Sequence, residues 1–137
     1  MGFPYKEKEE AKNFILGLFE RLKQNISIRK SWESINQLFL IHLTDPELYL
    51  FLDTCGRKID LSFSESEKSP LGEAVAGFSL NCNDFHDMYS GKADLLRLAQ
   101  TGKIKQFGRT GVTVKLASTL PLQIKLYKEY LQEKGIK

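Results

Sequence analysis

From Tyr5 to about Gln24, the apolar residues Ala11, Phe14, Ile15, Leu18, Phe19 and Leu22 recur at three- and four-residue steps. That spacing places them on one face of an amphipathic helix. A polar connection around Ser27–Ser34 follows, and then the texture changes. Ile35 to Leu43 is short, apolar and rich in strand formers. Thr44-Asp45-Pro46-Glu47 reads as a tight turn, because proline presets the backbone angle of its second position. Leu48 to Leu52 is apolar on both faces, which predicts a strand buried on both sides. After a second turn at Asp53–Gly56, the alternation is clean from Arg57 to Ser64. Ile59, Leu61 and Phe63 share one face, and Lys58, Asp60, Ser62 and Ser64 the other. Three strands joined by two short turns make an antiparallel meander.

Residues 64–73, SESEKSPLGE, are polar and contain Pro70 and Gly72. They read as a mobile loop or crossover, since the remainder is too short to be a good independent domain. A single domain over 1–137 is expected. Ala74 to Cys82 predicts a fourth strand, with Ala76, Phe78, Leu80 and Cys82 on one face. Asp84 reads as a helix N-cap, and the short helix from Phe85 stops at Gly91. Asp94 caps a second, Leu95 to Thr101, which stops at Gly102. Ile104 to Gly108 is a fifth strand. Val112, Leu116, Leu120, Ile124, Tyr127 and Leu131 continue at helical spacing around Pro121.

The pairs Gly91-Lys92 and Gly102-Lys103 invite a phosphate-loop reading, which fails. Five residues before them stand His86 and Arg97 where a glycine is needed, and Ala93 and Ile104 follow where Ser or Thr is needed. Both glycines fit helix ends that require a left-handed residue, with a lysine at the negative end of the helix dipole.

Apolar content of 42% and charged content of 27% are those of an ordinary soluble globular chain. The net charge of +3 hides an asymmetry. Residues 1–90 hold ten Lys/Arg against fourteen Asp/Glu, and residues 91–137 hold ten against three. The basic C-terminal third could meet an anionic membrane surface, an acidic partner or nucleic acid, or be a set of solvated helix lysines. Nucleic acid is disfavoured, because Glu129 and Glu133 interrupt Lys125, Lys128 and Lys134, and Tyr127 and Tyr130 fit helix packing. Cys55 and Cys82 do not make a disulfide framework, so a reducing, cytoplasmic setting is expected. No apolar run is long enough to span a bilayer, no signal-peptide core is visible, and Lys6 stands where a myristoylation signal needs Ser or Thr.

Reactive chemistry is thinly represented. Cys82, Asp84, His86 and Asp87 lack a second histidine and a CxxC pair, so no metal is expected. His42, mid-strand, reads as a hydrogen-bonded or solvent-edge residue. No G-x-S-x-G elbow is present. No enzyme and no cofactor are expected; a catalytic reading would require a polar pocket around His42 or His86. What remains is apolar side chains, and composition does not separate a dry core from a lipid tunnel. Burial contributes about 0.8 kcal/mol per methylene, so a long acyl chain gains on the order of 10 kcal/mol against water and little against a membrane.

The ordered set Phe85, Gly91-Lys92, Asp94, Gly102-Lys103-Ile104-Lys105, Gly108 and Lys115-Leu116 resembles the sterol carrier protein family. The order of elements resembles it over about residues 10–130. The resemblance implies an α+β fold with a five-stranded mixed, largely antiparallel sheet covered by N-terminal and C-terminal helices. It implies a non-catalytic binder of a sterol, fatty acid or acyl-CoA in an apolar tunnel between sheet and helices. The ligand-contact candidates are Phe14, Leu18, Phe78, Leu80, Ile104, Val112, Leu116, Leu120 and Ile124. Gln106 stands where the family usually places an apolar residue, and Arg109 where Asp or Asn is common. Gln106 could place an amide in the wall, and Arg109 could meet a carboxylate or phosphate head group. The alternative is an interaction or regulatory module on the same fold, with a reduced or filled cavity; oligomeric state is left open.

Overall fold

The structure, a computed structural model, describes residues 2–136. In chain order the elements are α1 (Lys8–Gln24), α2 (Ile26–Glu33), β1 (Leu38–Thr44), β2 (Leu48–Asp53), β3 (Asp60–Ser64) and β4 (Ala76–Asn81). They continue as α3 (Cys82–Tyr89), α4 (Leu95–Gln100), β5 (Ile104–Gly108), α5 (Thr110–Ala117) and α6 (Leu120–Glu133). The strands form one sheet in the order β3-β2-β1-β4-β5. β1–β2, β2–β3 and β4–β5 are antiparallel, and β1–β4 alone is parallel. The meander and the mixed α+β sheet are as expected from the chain.

Strand alternation divides the sheet into two faces. Phe39, Ile41, Leu43, Leu48, Leu50, Leu52, Ala76, Phe78, Leu80 and Ile104 point inward to the main core, under the helices. α1 contributes Ala11, Phe14, Ile15, Leu18, Phe19 and Leu22, all buried as the helical spacing predicts. On the opposite face Leu38, Leu40 and Phe51 form a second, smaller cluster with Tyr49 and Ala74. β3 lies at one edge, so the chain must cross the sheet to reach β4 beside β1. Residues 65–75 make that crossing, and Glu67, Lys68, Ser69, Gly72, Glu73 and Ala74 border a cavity on the outer face.

Three local expectations are corrected. Ser27–Ser34 is not a polar connection; it holds α2. The Asn25 side-chain oxygen accepts from the N–H groups of Ser27 and Ile28, and Ile28 and Trp32, four residues apart, are buried. That i,i+4 pair was the available signal, diluted by six polar neighbours. The cap of α3 is Asn81, which accepts from Asn83 N–H at 2.7 Å, and Asp84 sits in the first turn instead. Cys82 therefore opens that helix and does not end β4. Asp94 occupies the N-cap position of α4 without a side-chain capping bond. The glycine reading holds: Gly91 (φ 81°) and Gly102 (φ 75°) follow α3 and α4 in the left-handed region.

Candidate functional site

The interior is largely filled, with a small cavity of about 30 Å³ between the β4–β5 end of the sheet and helices α3, α5 and α6. Its walls are Phe78, Met88, Tyr89, Leu95, Ile104, Gln106, Thr113, Leu116, Ala117, Leu120 and Gln123. Each element supplies its residues by periodicity. Phe78, Ile104 and Gln106 are inward positions of adjacent antiparallel strands, with Phe78 directly opposite Gln106. Thr113, Leu116, Ala117 and Leu120 follow one helical face across the α5–α6 junction, where Pro121 opens α6 without needing an N–H partner.

The polar groups in this wall are mostly consumed. Gln123 is 1% exposed. Its amide nitrogen donates to the Leu116 carbonyl at 3.1 Å and to Thr119 Oγ1 at 2.9 Å, and its oxygen accepts from Tyr89 Oη at 2.7 Å. Burial pushes the Tyr89 phenol well above its ordinary range, so it stays neutral. Thr113 Oγ1 is buried and has no hydrogen-bond partner among the described residues. Gln106 is exposed at the rim. No wall residue carries a charge at neutral pH. Such a wall offers a guest shape and exclusion of water, with no charge to anchor it.

Of the residues singled out from the sequence, Phe78, Ile104, Gln106, Leu116 and Leu120 come together around this cavity. The others lie elsewhere. Phe14 packs against Tyr127 and Tyr130, and Leu18 is fully buried on the same face of α1. Leu80 pairs with Ile104 in the sheet, and both belong to the main core. Val112 is in the core, Ile124 lies against Gly91, and Arg109 is exposed at the N-cap position of α5. Met88, Tyr89, Leu95, Thr113, Ala117 and Gln123 were not anticipated. The small residues Thr113 and Ala117, four apart on the face that carries Leu116, were the legible sign of unfilled space.

His86, the other candidate histidine, is 3% exposed. Its Nδ1 lies 2.7 Å from Tyr127 Oη, and burial lowers its pKa. It is a neutral core residue. His42 lies on the outer face of the sheet, beside a wider cavity of about 670 Å³ lined also by Leu40, Ser79, Phe107 and the crossing segment. Among the described residues, no helix is long and apolar enough to cross a membrane.

The architecture is shared with solved structures of sterol carrier proteins. The apo sterol carrier protein 2 of Yarrowia lipolytica superposes with a TM-score of 0.60 at 21% identity, over 92% of this chain and 97% of that one. The sterol carrier protein domain 2 of Helicoverpa armigera gives 0.62 at 19% identity, over 83% and 87%. Sterol carrier protein-2 like-3 of Aedes aegypti gives 0.58 at 16%, over 82% and 97%. These likenesses establish the fold. No curated protein matches the chain. The family model described as the SCP-2 sterol transfer family matches residues 18–121, a span that runs from inside α1 through every strand to the start of α6. The chain belongs to the SCP-2 sterol transfer family.

Proposed function

We propose that this protein binds a lipid, a sterol, fatty acid or acyl-CoA, in the apolar space between β4–β5 and helices α3, α5 and α6, without chemistry at that pocket, and carries it between membranes. The observation that supports this is the uncharged wall around Phe78, Leu116 and Leu120. A cavity of about 30 Å³ has room for a few water molecules at most, so a lipid enters only as the wall parts. We assign the movement to α5, which is eight residues long, carries Val114 60% exposed and has no side-chain cap at its N-terminus. Opening it exposes the ends of an apolar slot, and burying each methylene of the guest offsets the opening by about 0.8 kcal/mol.

The same region suits a membrane surface. Leu96 and Val114 are 64% and 60% exposed, and each adjoins a cavity residue, Leu95 and Thr113. Arg97 on α4, Lys103 just before β5, Arg109 at the start of α5 and Lys115 on α5 are exposed. Cations around exposed apolar residues at a mouth favour anionic bilayers, with about 1 kcal/mol per basic residue near the surface. Arg109 would meet an anionic head group there.

The test is displacement of a fluorescent fatty acid, with native mass spectrometry of the protein as purified. Binding is expected, and Leu116→Trp, which fills the slot, is expected to abolish it while thermal unfolding stays cooperative. Unaltered binding by that variant would move the ligand elsewhere. No displacement and no retained lipid would favour the second reading, an interaction or regulatory module with a reduced cavity, which the small volume itself supports.

A further inference from the structure

The outer face of the sheet carries a row of hydrogen-bonded side chains that lipid carriage does not use. His42 of β1 and Ser79 of β4 are direct partners in the parallel ladder, and Tyr49 of β2 is the partner of His42 on its other side. Ser79 Oγ lies 3.1 Å from His42 Nδ1, and His42 Nε2 lies 3.0 Å from Glu47 Oε2. Tyr49 Oη donates to the same Glu47 oxygen at 3.2 Å, and its ring stacks on the imidazole at 4.3 Å and 6°. Hydrogen bonds from His42 and then Tyr49 hold the Glu47 carboxyl below its ordinary range, so it is ionised at neutral pH.

The roles follow from these contacts. An ionised carboxylate only accepts, so the tautomer of the neutral imidazole that these contacts favour has its hydrogen on Nε2 and its Nδ1 lone pair toward the Ser79 hydroxyl. A serine hydroxyl donating to a neutral histidine that is itself oriented by a carboxylate is the arrangement that activates a nucleophile. Both Ser79 and His42 line the open cavity of about 670 Å³, whose apolar wall includes Leu40, Ala74 and Phe107. The cavity also has unspent donors. Glu73 and Ala74 line it, and their backbone N–H groups donate to no described residue. Lys105 is the ladder partner of Ser79 on β5 and is exposed on the same face.

We propose that Ser79 and His42, oriented by Glu47, form a hydrolytic site for small carboxylic esters on the face of the sheet opposite the lipid pocket. The Ser79 hydroxyl gives its proton to His42 Nδ1 as Oγ bonds to the acyl carbon. The resulting oxyanion is met by the free N–H groups of residues 73–74 and the Lys105 ammonium. The carbon–alkoxy bond then breaks, and the leaving oxygen takes the proton from Nδ1. Water gives a proton to Nδ1, attacks the acyl-serine, and Ser79 departs with that proton. Ester and water become acid and alcohol, with no other reactant. Glu47 is a positioning residue, since it acts through His42 and does not line the cavity.

The experiment treats the full chain with a fluorophosphonate probe and maps the adduct by mass spectrometry, alongside p-nitrophenyl acetate turnover. Labelling is expected at Ser79 alone. Ser79→Ala is expected to abolish the label, and His42→Gln to lower turnover by about a hundredfold or more. Glu47→Gln, which keeps a partner for Tyr49, is expected to lower kcat about tenfold with KM unchanged. All three should retain fatty-acid binding and cooperative melting. Absence of label from the folded wild-type chain, label on another residue, or unchanged ester turnover by Ser79→Ala would overturn the proposal.

Discussion

On the helix-covered face of the sheet, Phe39, Ile41, Leu50 and Leu52 are completely buried in the main apolar core. On the other face β1 and β2 present Leu38, Leu40 and Phe51 toward one end and His42 and Tyr49 toward the other, with Ser79 of the neighbouring β4 beside His42. The inner face is dense, with a cavity near 30 Å³, whereas the outer face opens into about 670 Å³ beneath a loop crossing. The difference lies in what covers each face. Helices bring apolar stripes that interdigitate, so the inner face closes by water exclusion. A polar crossing segment brings Glu67, Lys68, Ser69 and Glu73, which keep their water and leave a trough. One face can admit a guest only by moving; the other is already open.

The largest effect that sharpens this contrast is on stability. Phe39→Ala on the inner face is expected to cost about 3–5 kcal/mol, measured by urea unfolding. Ser79→Ala on the outer face should stay within about 1 kcal/mol, since it removes one partly exposed hydrogen bond. Equal costs would mean that the outer row is as much a part of the core as the inner one.

A second pair tests how closely the chain packs where it enters α5. Gly108 has φ 77°, and a Cβ there would run into the Val75 carbonyl and Ala76 Cα. Gly102 has φ 75° with open space around it. Gly108→Ala is expected to cost clearly more than the roughly 1–2 kcal/mol of left-handed strain that Gly102→Ala shares with it. The excess measures the β4–β5 approach that shapes the small apolar cavity.

His86 adds a pH dependence confined to the helix side. Burial lowers its folded pKa, so the unfolded chain takes up the proton first. Its contribution is fully present above about pH 6.5 and is lost as the pH falls from there toward the folded value. His86→Gln should reduce the slope of stability against pH in that window, read by denaturant midpoints; an unchanged slope would assign the acid sensitivity elsewhere.

The smallest effect concerns the start of α5. Arg109→Ala is expected to weaken fatty-acid binding a few-fold more than binding of an uncharged analogue, checked by competitive displacement. Equal weakening would remove the head-group role.

Much of the architecture was legible in periodicity. Steps of three and four marked the buried face of α1, and alternation marked Ile59, Leu61 and Phe63. The Gly-Lys pairs marked helix ends. α2 was missed because its buried pair, Ile28 and Trp32, is embedded in polar residues, and the Asn25 cap lies before the stretch that seemed polar. About half of the chosen pocket residues surround the cavity, because periodicity tells which face is buried and not which buried residues border unfilled space. Phe14 and Leu18 share the character of Leu116, yet Phe14 meets Tyr127 and Tyr130 of α6, and Leu18 is sealed in the core away from the cavity.

By itself the chain determined which residues leave water, in what elements, and the absence of a charged set suited to a phosphate loop. Those properties are local, set by spacing and turn chemistry. Only the tertiary structure decided that β4 runs parallel beside β1, and that pairing is long-range. It places Ser79 against His42, thirty-seven positions away, and sets Phe78 across from the α5 face that carries Leu116. Void and juxtaposition belong to the packing of distant segments, which no short stretch of sequence encodes.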